Sequence, residues 1–308
     1  MTKDQFSYLD DLFRSARQFS KSKEFMDMLD FCRKMRHLGP YNAMLAHIQR
    51  PGAVWLCSAS EWQSKFHRHI KDTARPLVIL MPFGPVEYLY DLEDTISDIP
   101  FDTGLLKLYA VSEIIDESML DHLIESMAYC GIALERARFG SAQTAEITST
   151  DHIKNDILIV YRKSMIHFDS DYKINVNDTL SPTAAFAAIC HELGHFFCHH
   201  LPAPDGKLWM HRRLPDNVAE FEAEATSKIV CDHFNIESKA EQYLDWYVDN
   251  NEFIPDMVST DLIFQSAGKI INMATNPFDF KRSMAYKLHP EVVAQAKHID
   301  ALVNGKKR

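Results

Sequence analysis

The chain has 308 residues, of which 46% are hydrophobic and 25% are charged, proportions that are typical of a globular protein. They exclude collagen-like, low-complexity and mostly disordered classes, and the length favours two domains or one large one. The six cysteines form no C-x-x-C pair, which argues against a disulfide framework or a four-thiolate zinc site. Because no apolar run approaches ~18 residues and the start lacks an apolar signal core, we expect a cytoplasmic protein without a membrane partner.

Charge is distributed unevenly along the chain. The net charge of −10 argues against attraction of the whole protein to nucleic acid or to an anionic membrane. Residues 1–100 carry 13 basic and 13 acidic residues, so the whole negative excess lies in residues 101–308. From Arg14 to Arg75 there are 12 basic and 5 acidic residues, a local excess of +7. This asymmetry indicates either a module that faces a polyanion or a solvated surface that is simply basic.

The first hundred residues predict a helical segment followed by a small sheet. Apolar residues at helical spacing predict three helices, over Phe6–Phe13, Phe25–Cys32 and Tyr41–Ile48. A strand, a helix capped by Ser58 or Ser60, and two further strands are predicted to follow, over Val54–Cys57, Glu61–Phe66, Pro76–Met81 and Val86–Tyr90. Residues 95–116 are expected to be a connector. We therefore place a first domain at residues 1–100.

Residues 101–308 predict a second, helix-rich domain with a few strands. The expected helices are Glu117–Tyr129, Ala184–His200, Val218–His233 and two more that begin near Ser238 and Pro290. The expected strands are Gln143–Thr148, Asp156–Tyr161 and Lys173–Val176. Because Lys173–Asn177 alternates polar and apolar residues, we expect it to be an edge strand that a peptide substrate could extend. The fold class predicted for the whole chain is α+β.

A metal-binding motif, H-E-x-x-H, occurs at His191–His195 in the helix predicted after Pro182. Two histidines four residues apart share one face of a helix, so both rings can reach one ion, and Glu192 beside them can act as a general base. Zinc at such a site lowers the pKa of its water to ~7. The alternative interpretation is a solvent-facing helix surface that carries His and Glu. Apolar residues flank the motif on both sides, which favours a buried helix instead. Gly194 costs ~1 kcal/mol in a helix relative to Ala, which indicates a packing or access role.

The third zinc ligand is expected from a run of carboxylates on the next helix. Glu220 and Glu224 lie one turn apart on one face, while Glu222 points away from both, which favours an ordinary solvated charge at Glu222. A ligand and a carboxylate that orients a ligand histidine can be placed one turn apart in this way. Glu220 is nearest the start of the helix, so we prefer it as the ligand and give Glu224 the orienting role.

Several neighbouring residues have more than one interpretation. His199 and His200 are spare ligands or simply line the end of the helix. Three residues of the following loop are candidates for stabilising an oxyanion, namely His211, Arg212 and Arg213. Cys190 is expected in the core.

Two stretches of the sequence resemble known families. The region from about Ile157 to Tyr247 resembles the zincin-type domains of the ImmA/IrrE family and of ArdC-like antirestriction proteins, in which H-E-x-x-H precedes a helix with Glu-x-x-Ala-(Asn/Glu). That pattern is Glu220 to Glu224 here, and the resemblance implies Glu220 as the third zinc ligand. The N-terminal stretch with Tyr41-Asn42, Trp55, Glu61-Trp62, Lys71 and Pro76-Leu-Val-Ile-Leu resembles the single-stranded-DNA-binding domain of ArdC-like proteins. The turn that is Gly-rich in that family reads Lys71-Asp-Thr-Ala-Arg75-Pro76 here.

These observations predict a zinc-dependent metallopeptidase of the gluzincin type, with zincin-like residues 101–308 and a protein or peptide substrate. His191, His195 and Glu220 would bind Zn²⁺, and Glu192 would be the catalytic base. The resemblance implies a regulatory or antirestriction role in a mobile element. The alternative is a DNA-binding antirestriction protein whose metal site is structural or silent. In it residues 12–75 would contact single-stranded DNA, with Trp55 or Trp62 as a stacking platform unless both tryptophans are core residues. Hydrolysis of a non-peptide substrate is a third interpretation.

Overall fold

The structure is a computed structural model that describes residues 21–81, 86–101, 115, 117–138, 144–276 and 279–305. The α-helices in these ranges are α1 Ser22–Lys34, α2 Pro40–Gln49, α3 Ala59–Phe66, α4 Glu117–Tyr129, α5 Pro182–Phe197, α6 Asp216–His233, α7 Lys239–Asn250, α8 Thr260–Thr275, α9 Met284–Leu288 and α10 Pro290–Gly305. The strands are β1 Leu56–Ser58, β2 His69–Ile70, β3 Leu77–Ile79, β4 Glu87–Asp91, β5 Thr95–Ile96, β6 Ile132–Ala137, β7 Ala145–Tyr161 and β8 Ser164–Asn177. The molecule is thus mixed α and β with small sheets. The helix expected over Phe6–Phe13 and most of the connector at 95–116 lie outside the described residues.

The first two helices bury the faces that their sequence predicts. Helix α1 places Phe25, Met28 and Leu29 in the core, at the spacing of one helical face. Helix α2 begins at Pro40, whose fixed φ suits the first turn of a helix. Helix α3 begins after Ser58, whose side chain accepts a hydrogen bond from the backbone N–H of Glu61 in a capping box.

A small antiparallel sheet, in the order β1-β4-β3, follows the first helices. Trp62 packs behind it with no exposed surface and donates its indole N–H to the carbonyl of Tyr90 at 2.8 Å. Of the two interpretations of Trp62, the core residue is therefore the correct one, because a fully buried ring presents no face to a base. Trp55 is partly exposed, and its ring stacks on His37.

Strands β2 and β5 form a two-stranded antiparallel sheet. The third sheet has the order β6-β8-β7, with β6 parallel and β7 antiparallel to the central strand β8. The expectation that Lys173–Asn177 is an edge strand is wrong, because this segment of β8 pairs with β6 on one side and with β7 on the other. Residues 149–157 of β7 contain register shifts. Within the described residues, the outer edge next to α5 belongs to β7 instead.

Helices α5, α6 and α8 form the main body with one continuous core. Gly194 lies where α5 crosses α6, and a Cβ atom at this position would be 3.0 Å from the Cα of Ala223 and 3.1 Å from its carbonyl oxygen. A side chain here would push the two helices apart. The packing role expected for Gly194 is confirmed, and its consequence is a close crossing between the two helices that carry the candidate ligands.

Residues on both sides of position 100 contribute to this core. The rings of Phe25 and Phe221 lie 5.4 Å apart, and the hydroxyl of Tyr41 donates to Asp261 at 3.3 Å. The proposed domain boundary at residue 100 stays a prediction, although α1 and α2 clearly pack on the helical body.

The six cysteines are buried with free thiols; they are Cys32, Cys57, Cys130, Cys190, Cys198 and Cys231. Burial raises the pKa of each thiol, for example to about 12 at Cys130 and Cys231. Among the helices described, none has the length and apolar character needed to cross a bilayer.

Candidate metal centre

The two histidines of the motif lie on one face of α5. The side chain of Ser181 caps this helix by accepting the N–H of Ala184, and Pro182 occupies its first turn. Positions four residues apart then stack one turn above the other. The Nε2 atoms of His191 and His195 consequently lie 3.2 Å from each other and face the same space.

Glu220 reaches the same space from α6. Its carboxylate oxygens lie 3.4 Å from the Nε2 of His191 and 3.5 Å from the Nε2 of His195. Because Gly194 allows the two helices to approach closely, a glutamate from the second helix can meet both rings of the first. The structure therefore brings together His191, His195 and Glu220, the three expected ligands.

The spacing of these three donors fits a tetrahedral ion. Ligand bonds of ~2.0–2.1 Å at tetrahedral angles place neighbouring donor atoms ~3.3–3.4 Å apart. The two Nε2 atoms are 3.2 Å apart, and each lies 3.4 or 3.5 Å from a different oxygen of the Glu220 carboxylate, distances close to that edge length. Two imidazoles and one carboxylate also form a donor set that zinc uses in catalytic sites, with one position left for water.

The electrostatics of the site favour a cation between the donors. Hydrogen bonding to His191 and then to His195 holds the pKa of the Glu220 carboxyl well below its usual range, despite partial burial. Burial alone lowers the pKa of His191, but hydrogen bonds to Glu220 and Glu224 outweigh it and raise the pKa to about 10. A proton on His191 thus balances the carboxylates, and a bound metal would replace that proton.

Glu192 is buried beside the ligands, with 7% of its surface exposed. Its Oε2 accepts a hydrogen bond from the backbone N–H of Ile147 in β7 at 2.9 Å. Burial raises the pKa of the Glu192 carboxyl, and the nearby histidines partly oppose that rise. A carboxylate in this position is held in one orientation and is more basic than a solvated glutamate, as a general base requires.

Glu224 lies behind His191, as the helix spacing predicts. Its Oε1 is 3.6 Å from the Nδ1 of His191, the ring nitrogen that faces away from His195. A carboxylate on this side favours a proton on Nδ1 and leaves Nε2 free to bind a metal.

The expectation that Glu222 is a solvated charge is wrong. The side chain is fully buried, and the guanidinium of Arg212 donates to both of its oxygens, at 2.6 and 2.8 Å. The backbone N–H of Ser259 and the ring of His200 also contact this carboxylate, at 2.6 and 2.8 Å. Glu222 does point away from Glu220 on the helix, but the loop after α5 covers that face and removes it from water.

The other candidate residues of the loop differ in what they contact. The ring of His199 stacks on Trp209, 5.3 Å away, and burial lowers its pKa to about 4. Arg212 is engaged by Glu222 and by two backbone carbonyls, which leaves it poorly placed to stabilise an oxyanion. His211 donates its Nε2–H to the carbonyl of His200 at 3.0 Å, so a neutral His211 keeps only an acceptor. Arg213 is exposed and lines the cavity over His191, His195 and Glu220.

A cavity of about 860 Å³ opens over the three donors. Its walls are residues 144–147 at the start of β7, the face of α5 with Ala184 and Ala188, the loop 211–214 and the start of α7. The size is within the ~300–1,000 Å³ typical of ligand sites.

A second group of donors, Cys198, His200 and Glu222, also converges. Arg212 already occupies both oxygens of Glu222, and burial raises the pKa of the Cys198 thiol to about 12. A protonated thiol and a carboxylate paired with arginine are poor metal ligands. The sequence alone did not reveal the pairing of His200 with Glu222, because the two residues meet only through the fold.

Comparison of the chain with protein-family models, with curated proteins and with solved structures gives no match in any of the three.

Proposed function

We propose that the chain is a metal-dependent hydrolase, and in particular a zinc metallopeptidase of the gluzincin type. The observation that carries this proposal is the convergence of His191, His195 and Glu220, whose side-chain donors lie 3.2–3.5 Å apart, with the buried carboxylate of Glu192 beside them. A purely structural zinc site is normally closed by four protein ligands and has no use for a base. Three donors plus a base, open to a cavity, is the arrangement of a hydrolytic site.

The residues divide the chemistry between them. His191, His195 and Glu220 would hold a zinc ion, which would supply Lewis acidity towards a carbonyl and a water molecule. Glu192 would take a proton from the attacking water and deliver it to the nitrogen of the departing amine. The N–H of Ile147 holds the Glu192 carboxylate in place. Arg213 is the candidate for stabilising negative charge that develops on the carbonyl oxygen.

The outer edge of β7 supports a peptide as the substrate. The carbonyl of Thr144 accepts the N–H of Asn177, so Thr144 directs its backbone groups towards β8. Ile147, three residues on, directs its N–H the opposite way, towards Glu192. The backbone N–H and carbonyl of Ala145 and the carbonyl of Ile147 therefore face outward, where an extended peptide could add as another strand, while the N–H of Ile147 stays with Glu192. We propose this edge in place of Lys173–Asn177.

The DNA-binding alternative receives less support from the described residues. Trp62 is buried, and three basic side chains among the described residues of the +7 segment form ion pairs: Lys21 with Glu24, Arg50 with Asp94 and Lys65 with Glu61. An antirestriction role stays a prediction that rests on the sequence resemblance alone.

The test combines metal analysis with a cleavage assay. Purified protein should contain one zinc per chain and should cleave members of an internally quenched peptide library. A chelator should abolish cleavage and added Zn²⁺ should restore it, while His191→Ala should lose both metal and activity. Protein that takes up no metal, or that cleaves as well after complete metal removal, would overturn the proposal. A zinc-loaded protein that hydrolyses only simple esters would redirect it to a non-peptide substrate.

A further inference from the structure

A buried chain of hydrogen bonds runs from His195 to the opposite face of α6. The Nδ1 of His195 lies 2.9 Å from the Nδ1 of His200, and the Nε2 of His200 lies 2.8 Å from Oε2 of Glu222. The guanidinium of Arg212 and the N–H of Ser259 hold the far side of that carboxylate. The side chain of His200 is 6% exposed and that of Glu222 is fully buried, so water does not compete for these contacts.

The backbone explains how His200 reaches the ligand. On a continuous helix, a residue five positions after His195 would lie ~140° around the axis and away from the metal face. Helix α5 instead ends at Phe197, and His199 adopts a left-handed conformation with φ of 64°. The chain turns back, the N–H of His200 donates to the carbonyl of His195 at 3.0 Å, and the ring of His200 comes to rest against that of His195.

The proton positions along this chain follow from the acceptors at its end. Glu222 receives donors from Arg212 and Ser259, and as a carboxylate it can only accept, so the Nε2 of His200 must carry a proton. A neutral His200 then has its lone pair on Nδ1 and accepts the Nδ1–H of His195. His195 is left with a lone pair on Nε2, the atom that faces His191 and Glu220.

We propose that His200, anchored by Glu222 and Arg212, is a positioning residue that fixes the ring orientation and tautomer of the metal ligand His195. The inference deepens the proposed function and rests on its metal site. The two histidine ligands are then oriented by different means, since Glu224 faces the Nδ1 of His191 directly whereas a histidine–glutamate pair serves His195. The reverse proton arrangement, in which His200 donates to His195, would put the proton of His195 on Nε2 and block metal binding.

The positioning role of His200 is tested by measuring zinc affinity and ligand geometry without substrate. His200→Ala should bind zinc ~10–100-fold more weakly, the loss typical of a partner behind a metal ligand, and should alter the absorption spectrum of the Co²⁺-substituted protein. His200→Asn, whose side-chain oxygen can still accept the Nδ1–H of His195, should recover most of the affinity. The matched control is His199→Asn, which changes the neighbouring ring but no ligand contact and tolerates the left-handed backbone.

The outcomes separate this proposal from the proposed function. In zinc-loaded protein labelled with ¹⁵N at histidine, the proton of His195 should be on Nδ1. Wild-type zinc affinity and an unchanged Co²⁺ spectrum in His200→Ala would overturn the positioning role. If His200→Ala fails to fold, a proton on the Nε2 of His195 in the zinc-loaded wild type would overturn it. A protein that shows all the expected metal properties but cleaves no peptide would refute only the peptidase function.

Discussion

Arg212 binds Glu222 through two parallel hydrogen bonds, of 2.6 and 2.8 Å, around a carboxylate with no solvent exposure. The arginine comes from the loop after α5 and the glutamate from α6, so this pair ties the loop to the helix. Bidentate arginine–carboxylate pairs of this kind are geometrically specific as well as strong. The loop carries His200 at its start and Arg212 near its end, and both converge on the same carboxylate.

Glu222→Ala should therefore destabilise the protein rather than change little. Removing one partner leaves the other charge buried without compensation, a loss of ~3–5 kcal/mol in the free energy of unfolding. Chemical denaturation of metal-free protein measures this loss. Glu237→Ala, an exposed residue at the cavity rim, is the control and should leave stability unchanged. Equal stabilities for the two variants would contradict the structural role of the pair.

Glu192→Gln should keep the fold and the zinc but lose hydrolysis. The amide oxygen of glutamine can still accept the N–H of Ile147, whereas it cannot take a proton from water. The expected rate loss is ~10²–10⁴-fold or more. Zinc content and cleavage rate are measured on the same preparation, with Glu237→Gln as the control. Cleavage by the Glu192→Gln variant at the wild-type rate would disprove the general-base role.

Glu220→Ala should lose zinc on dialysis, because only two histidines would remain as ligands. Glu224→Ala removes a carboxylate that lies 3.6 Å behind His191 and should cost ~10–100-fold in affinity or activity. Zinc content after dialysis against a weak chelator ranks the two variants. Retention of metal by Glu220→Ala together with its loss from Glu224→Ala would reverse the assignment of ligand and orienting residue.

Gly194→Ala and Gly268→Ala should have opposite effects on stability. A Cβ at position 194 meets the backbone of Ala223 at 3.0 Å, and overpacking of this kind costs ~1–3 kcal/mol. At position 268, in α8, the nearest atom would be 3.8 Å away, so the higher helix propensity of alanine should stabilise by up to ~1 kcal/mol. Denaturant midpoints compare the variants. We also expect lower zinc affinity for Gly194→Ala, since the two ligand-bearing helices must separate.

His289 should make stability depend on pH above neutrality. Burial lowers the pKa of this histidine, but Asp171, 2.9 Å away, and Glu291 outweigh that effect and raise the pKa above 6.5. A raised folded-state pKa contributes stability that is complete below the unfolded value of ~6.5 and is lost as pH rises through the folded value.

Asp171→Asn should flatten this decline in stability above about pH 6.5. Unfolding free energies of metal-free wild type and variant, measured at increasing pH from that value, give the comparison. The control is His298→Asn, an exposed histidine on α10. A pH dependence that is the same in wild type and Asp171→Asn would exclude the buried pair as its source.

Helical spacing was enough to predict the inner part of the site. Residues four apart on α5 necessarily share a face, and the same rule places Glu220 and Glu224 on one face of α6. The rule also predicts correctly that Glu222 points elsewhere. It cannot predict that a loop covers that direction, because coverage depends on how the turn at His199 folds the chain back.

The order of strands in the sheet could not be predicted from the sequence either, because it also depends on how distant segments meet in the fold. Alternation of polar and apolar residues marks Lys173–Asn177 as a strand with one buried face, and that is correct for β8. Alternation contains no information about hydrogen-bonding neighbours, which lie in the plane of the sheet rather than above or below it. The parallel partner β6 comes from more than thirty residues upstream, so local pattern could not reveal it.

Because all six free thiols are buried, their reaction with a labelling reagent measures how cooperatively the folded chain opens. Each thiol is shielded from reagents while its surroundings are packed, and two of them precede residue 100 whereas four follow it. Chemical labelling followed by mass measurement therefore counts how many thiols become accessible in one opening event. Simultaneous modification of all six shows that both parts of the chain open together, and a species modified only at Cys32 and Cys57 shows that the first part opens alone.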